Sequence, residues 1–154
     1  MTIDIGKKIP AFRGETADGV ITSKDLQGHN AVLFFYPKDN TPGCTLEACA
    51  FRDNLPKFKK MNAKVYGISK DDLASHARFA DNFELPFTLI SDTDGSICEK
   101  FGTWVEKSMY GRKYMGIDRA TFLIDSEGVI RQIWRKVKVA GHVEEVLTAS
   151  KEIK

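Results

Sequence analysis

Ala31-Val-Leu-Phe-Phe-Tyr36 runs directly into Pro37-Lys38-Asp39-Asn40-Thr41-Pro42-Gly43-Cys44-Thr45, and a second cysteine follows at Cys49. The first run is continuously apolar. Its length suits a strand covered on both faces, as in a central parallel sheet. The second run opens a helix, with Thr41 as N-cap and Pro42 at the first helical position. Cys44 then falls in the first turn, where backbone amides lack helical partners and the positive end of the helix dipole lies. Both features favour the thiolate, the reactive form of cysteine.

Outward from this stretch, the elements alternate. Before it, Phe12 to Glu15 and Val20 to Thr22 flank the turn Ala17-Asp18-Gly19 and read as a small hairpin, and Asp25 to Gly28 reads as a loop or short helical turn. After it, helix is expected from Pro42 to Asp53. Pro56 is expected to end or kink that helix and to start a second segment through Lys60. Ala63 to Ser69 reads as a strand. Ser69-Lys70-Asp71-Asp72 has capping-box spacing, with Asp in place of Glu. The helix behind it, to about Glu84, would place Leu73, His76, Ala77 and Ala80 on one stripe. Thr88 to Ser91 reads as a strand, Asp92 to Gly95 as a turn and Ile97 to Phe101 as a short helix. Ala120 to Asp125 and Val129 to Arg135 form a hairpin around Ser126-Glu127-Gly128, and Gly141 to about Ile153 is a final helix. The order predicts an α/β fold with a mixed central sheet flanked by helices.

The chain has 154 residues, 42% apolar and 29% charged, with 23 basic and 21 acidic side chains and a net charge of +2. That is the composition of a folded globular chain, and 1–154 reads as one continuous domain without repeat or linker. The near-balanced charge gives no reason to expect nucleic acid or an anionic membrane. No apolar run approaches the roughly 20 residues of a membrane span. Met1 to Pro10 lacks a signal-peptide core, so the cytoplasm is the expected compartment. In a reducing compartment three cysteines are either inert core thiols or reactive ones. His29, His76 and His142 show no metal-ligand spacing, and no metal or cofactor is expected.

An arbitrary free cysteine is most often a buried small hydrophobe. The helix-terminus setting favours a reactive Cys44 instead, because a pKa lowered from about 8.5 to about 6 raises the thiolate at neutral pH from a few per cent to about 90%. That gain of roughly thirtyfold is small beside enzymatic accelerations of about a millionfold. Charge must also be stabilised in the transition state. If the thiolate attacks an O–O bond, one oxygen leaves as a developing anion that preplaced donors would hold. The Thr41 hydroxyl and the guanidinium of Arg119 are the candidates, and Pro42 could shield the sulfur from water. Glu47 either orients Arg119 or is a first-turn acid favoured by the dipole. Trp104, Met109 and Tyr110 either line the site's mouth or pack ordinarily. Lys38 and Asp39 read as loop residues.

The motif Pro37-x-x-x-Thr41-x-x-Cys44, together with Gly116-Ile-Asp-Arg119-Ala-Thr-Phe-Leu-Ile-Asp125, resembles the peroxiredoxins, the thiol peroxidases. Glu47-Ala-Cys49-Ala-Phe-Arg52-Asp53, Leu85-Pro-Phe, Ser91-Asp92, Met109-Tyr-Gly and Trp134-Arg-Lys-Val-Lys-Val139 are similar to the Q-type, or bacterioferritin-comigratory, branch. The resemblance covers nearly the whole chain. It implies a thioredoxin-like fold with an N-terminal β extension. It also implies that Cys44 is the peroxidatic cysteine, with Pro37, Thr41 and Arg119 completing its site. The implied substrates are hydrogen peroxide and organic hydroperoxides. The implied reductant is thioredoxin or a similar dithiol protein, and a monomer is expected, or at most a weak dimer. A dithiol–disulfide oxidoreductase acting on proteins and a non-enzymatic redox sensor are the rival readings. The first would normally carry C-x-x-C, and slow, non-catalytic oxidation by peroxide would mark the second.

The C-x-x-x-x-C spacing matches the resolving cysteine of many Q-type members, which assigns Cys49 to condense with the oxidised Cys44. In an intact helix, residues five apart have Cα atoms about 8.6 Å apart. A disulfide rarely tolerates more than about 7 Å. The first turns of the helix are therefore expected to unwind in each cycle. Cys98 is the alternative resolving thiol, though packing in a short helix is its expected role.

Overall fold

A computed structural model of the chain describes residues 3–153. Met1 and Thr2, which begin the segment expected to lack a signal core, and Lys154 lie outside the described residues. The N-terminal hairpin pairs β1 (Arg13–Thr16) with β2 (Gly19–Thr22) antiparallel. A single 3-10 turn, Ser23–Leu26, follows and buries Leu26. Next comes β3 (Asn30–Phe35), buried at every position. Its period of two divides the molecule. Val32, Phe34 and the adjoining Tyr36 enter one apolar core, while Ala31, Leu33 and Phe35 enter the other.

On the first face lies α1 (Pro42–Lys60), whose Cys44, Ala48, Phe51, Leu55 and Phe58 form the buried stripe. Here the expected break at Pro56 does not occur, and α1 continues through it to Lys60. An internal proline costs about 3 kcal/mol. Burying Leu55 and Phe58 contributes roughly 1.5–3 kcal/mol each, enough to offset that cost.

The sheet grows outward from β3. The strand β4 (Ala63–Ser69) pairs with it in parallel, and β5 (Thr88–Ser91) pairs in parallel with β4. Between them, α2 spans Leu73–Phe83. The capping-box reading fails here. Asp72 is the N-cap and accepts from the Ser75 amide at 2.8 Å, while the Ser69 hydroxyl donates to Asp71 Oδ2. The buried stripe is correspondingly rotated. It runs through His76 and Phe79, and Leu73 is exposed.

On the opposite face, α3 (Ser96–Lys100) packs with Phe12, Leu26 and Phe101. Next, β6 (Trp104–Met109) and β7 (Arg112–Ile117) form a separate two-stranded sheet, in a stretch where the sequence suggests no strand. Its outward residues alternate too weakly in polarity to announce strands, and Tyr110 at the tip is 98% exposed. The chain returns through β8 (Ala120–Ile124), antiparallel to β3, and β9 (Ile130–Trp134), and ends in α4 (His142–Glu152) on the α1 side. The seven-stranded order is β2-β1-β5-β4-β3-β8-β9, a mixed sheet with helices on both faces. Among the described residues, no helix is long and apolar enough to cross a membrane.

Candidate active site

Two parts of the chain meet at the N-terminus of α1. Thr41 occupies the N-cap position with extended backbone, Pro42 and Gly43 follow, and Cys44 is third in the helix and almost fully buried. Arg119 lies where the chain leaves the β6–β7 hairpin and enters β8, next to β3. Its Nη2 donates to Cys44 Sγ at 3.4 Å, and its Nη1 donates to Glu47 Oε1 at 2.8 Å. The structure thus joins residues 75 positions apart.

Gly43 makes the approach possible. A Cβ there would lie 3.2 Å from Arg119 Nη2, tighter than an ordinary contact. Glu47 is fully buried, and its Oε2 has no hydrogen-bond partner among the described residues. Burial pushes the Glu47 carboxyl up to about 7, against the opposing charge and hydrogen bond of Arg119. Burial also disfavours the charge on Arg119, but Glu47 and Cys44 together outweigh it and raise its pKa. Of the two readings of Glu47, the geometry favours the one in which it orients Arg119.

Thr41 differs from its expected role as a hydroxyl donor. Its hydroxyl neither caps α1 nor meets the sulfur, and it donates to the Lys38 carbonyl at 2.7 Å. With that proton engaged, the oxygen presents lone pairs, which accept a hydrogen bond rather than give one. Pro37 opens the loop after β3 and is exposed, as is Pro42. Cys49 is half-buried farther along the same intact helix, and the three cysteines are unpaired.

Cys98 is fully buried in α3. Burial and the nearby Asp92 carboxylate push its thiol far up, which keeps it in the unreactive form. Asp92 also accepts from the Ile97 and Cys98 amides and so caps that helix. Trp104 is half-buried with the Lys70 ammonium 4.1 Å from its ring, which fits packing, while Met109 and Tyr110 are exposed at the end of their hairpin and do not pack.

Two histidines gain roles that spacing alone does not signal. His142 stands behind Arg119, with Nε2 2.8 Å from the Thr121 hydroxyl and its ring edge-on to Phe51 and Trp134. Burial, aided by the Arg119 charge, lowers its pKa to about 4. His76 binds Asp39, which the sequence leaves as a plain loop residue, at 2.7 Å. Only the pairing of a short polar residue after a buried strand with a histidine on a helix's inner face could have hinted at that contact.

Residues 5–133 match the AhpC/TSA family. The chain belongs to that family, in its peroxiredoxin Q, or Bcp, branch. It is 51% identical over 148 residues to a putative peroxiredoxin Bcp of Coxiella burnetii, covering 96% of this chain and 98% of the relative. To peroxiredoxin Bcp of Bacillus subtilis it is 45% identical, covering 99% and 98%. A mutant structure of peroxiredoxin Q from Xylella fastidiosa superposes with a TM-score of 0.92 at 38% identity, over 98% of this chain and 97% of that one. A peroxiredoxin Q structure from Xanthomonas campestris gives 0.87 at 45% identity, over 91% and 89%. The mixed sheet and its helices are therefore the thioredoxin-like fold of this branch of peroxiredoxins, as the sequence motifs imply.

Proposed function

We propose that residues 1–154 act as one unit, a thiol peroxidase that reduces hydrogen peroxide and organic hydroperoxides. The supporting observation is the Arg119 guanidinium, 3.4 Å from a buried Cys44 sulfur at a helix N-terminus. The Cys44 thiolate attacks one peroxide oxygen, and the O–O bond breaks. Its electron pair leaves on the other oxygen, which takes up a proton to give water or an alcohol. The sulfur is left as sulfenic acid, two electrons more oxidised. Arg119 stabilises negative charge on the sulfur at first and on the leaving oxygen later, while Thr41 accepts a hydrogen bond from the peroxide. A Xanthomonas campestris bacterioferritin comigratory protein, 44% identical, is described for alkyl peroxide reduction, and that substrate class is carried over here.

Cys49 then condenses with the sulfenic acid, forming a disulfide and releasing water. Thioredoxin or a similar dithiol protein returns the pair to thiols as its own dithiol is oxidised. One chain holds all of these residues, so a monomer suffices. Helical geometry keeps Cα atoms five apart at about 8.6 Å, beyond the roughly 7 Å that a disulfide accepts. The first turns of α1 therefore unwind before the bond closes.

Peptide mass spectrometry after one equivalent of peroxide tests this reading, alongside peroxide consumption coupled to thioredoxin and its reductase. The expected product is a Cys44–Cys49 bond, with turnover abolished in Cys44→Ser. Sustained turnover by Cys44→Ser would refute the assignment.

A further inference from the structure

The loop that carries Pro37 and Thr41 is tied down at its centre. Asp39 is buried, and its carboxylate accepts three hydrogen bonds: from the Tyr36 hydroxyl at 2.6 Å, the Ser75 hydroxyl at 2.8 Å and His76 Nδ1 at 2.7 Å. The Asp39 amide donates to Asp71 Oδ2 at 2.8 Å, and the same oxygen accepts from the Ser69 hydroxyl. One loop residue thus engages Tyr36 just after β3, Asp71 just after β4 and two residues of α2.

His76 is held on both sides of its ring. Nδ1 faces the Asp39 carboxylate, and Nε2 lies 3.1 Å from the Ile90 carbonyl of β5. The carboxylate can only accept, so Nδ1 carries the proton of that contact. The other groups facing it are the Tyr36 hydroxyl, 3.5 Å from Nδ1, and the Asp71 carboxylate, within 4.8 Å of the cluster, with the N-cap Asp72 on its own helix. Burial alone would raise the Asp39 carboxyl, but its bonds from His76, Tyr36 and Ser75 hold it below its ordinary value. Asp39, Asp71 and His76 are close enough to suggest a metal site, yet the atoms involved already serve these hydrogen bonds.

Beyond this post the chain changes character. Asn40 has φ 61°, the left-handed region, and Thr41 begins α1. The Thr41 hydroxyl donates to the carbonyl of Lys38, the residue beside Asp39. Displacing Asp39 therefore displaces the group that orients Thr41.

We propose that His76 and Asp39 are positioning residues whose buried hydrogen-bonded pair fixes the loop as a post, from which α1 unwinds and re-forms beyond Asn40 in each turnover. This rests on the peroxidase reading. The post favours the folded arrangement that meets peroxide, and the condensation with Cys49 proceeds from the unwound one. Weakening the post must therefore affect the two steps differently.

The test pairs spectroscopy with kinetics. Nitrogen-15 NMR of wild-type His76 at pH 7 should show a protonated Nδ1, and an unprotonated Nδ1 would overturn the proposal. In Asp39→Asn the amide keeps the carboxylate's shape but loses its charge and weakens the bond from His76 Nδ1. Stopped-flow oxidation of Cys44 in that variant should slow by about tenfold to a hundredfold. Formation of the Cys44–Cys49 bond from the sulfenic acid should be unchanged or faster. His76→Gln provides the same kinetic comparison if Asp39→Asn fails to fold. Peroxide oxidation within about twofold of wild type, or both steps slowing by one common factor, would overturn the proposal. Wild-type protein that forms no sulfenic acid would instead defeat the peroxidase reading, and the NMR result would stand apart from it.

Discussion

Replacing Glu47 by glutamine removes a buried carboxyl that holds its proton tightly. The carboxyl is raised from 4.5 to about 7 in the folded chain, chiefly by burial. At about 1.4 kcal/mol per pH unit, this corresponds to roughly 3 kcal/mol. Because the folded value exceeds the unfolded one, Glu47's contribution to stability is full below pH 4.5 and is lost as the pH rises through 7. His142 runs the other way. Its folded value is about 4 against 6.5, so its contribution is full above pH 6.5 and is lost as the pH falls through 4. The two trends oppose each other, and the stability of the wild type alone would hide both. The difference between Glu47→Gln and wild type isolates the carboxyl. Urea unfolding of both reduced proteins across pH 4.5 to 8 should show the variant gaining about 3 kcal/mol relative to wild type. Glutamine can still accept from Arg119 Nη1, so the pair's geometry need not collapse. A difference that is flat with pH, or that falls as pH rises, would refute the reasoning.

Gly43→Ala should separate stability from activity. Alanine favours a helix by about 1 kcal/mol over glycine, yet its Cβ would press on Arg119 Nη2 and move it away from the sulfur. The variant should melt no lower than wild type and react with peroxide about tenfold more slowly by stopped-flow. Cys98→Ala should cost about 1 kcal/mol in denaturant and leave both peroxide consumption and the Cys44–Cys49 bond intact. Loss of the intramolecular disulfide in that variant would make Cys98 the resolving thiol. Pro56→Ala should stabilise the chain by about 2 kcal/mol, after allowing for the greater freedom it gives the unfolded state. A lower melting temperature would mean that α1 accommodates the proline without cost.

Local chemistry made much of this molecule readable in advance. The apolar run 31–36, the Thr41-Pro42 helix start and the Ser126-Glu127-Gly128 turn each carry a signal within a few residues, and each falls at or within a residue or two of its expected place. The misses depend on distance. Pro56 stays inside α1 because Leu55 and Phe58 around it are buried in the core, which no local propensity reports. The β6–β7 hairpin is half-exposed and shows no clean alternation. At the site, a family motif pointed to Cys44 and Arg119. The hydroxyl of Thr41 instead donates to the Lys38 carbonyl, a matter of loop geometry. The Asp39–His76 contact joins residues 37 apart, and neither has a neighbour in sequence that reveals the other.

The length of α1 bears on solubility. At 19 residues it is about 28 Å long, and the proposed reaction asks only its first turns to come apart. Cys44 and Ala48 belong to those first turns, whereas Phe51, Leu55 and Phe58 lie beyond them. Phe51 stacks on Phe34 with ring centroids 4.6 Å apart. Those residues keep the middle of β3 covered while the front of the helix opens. The run from Val32 to Phe35 is uncharged, apolar and strand-forming, the composition that self-associates when uncovered. A shorter helix could bring the two cysteines together equally well, but each turnover would then bare an aggregation-prone strand. On the proposed mechanism, the extra turns keep that strand covered each time the front of the helix opens.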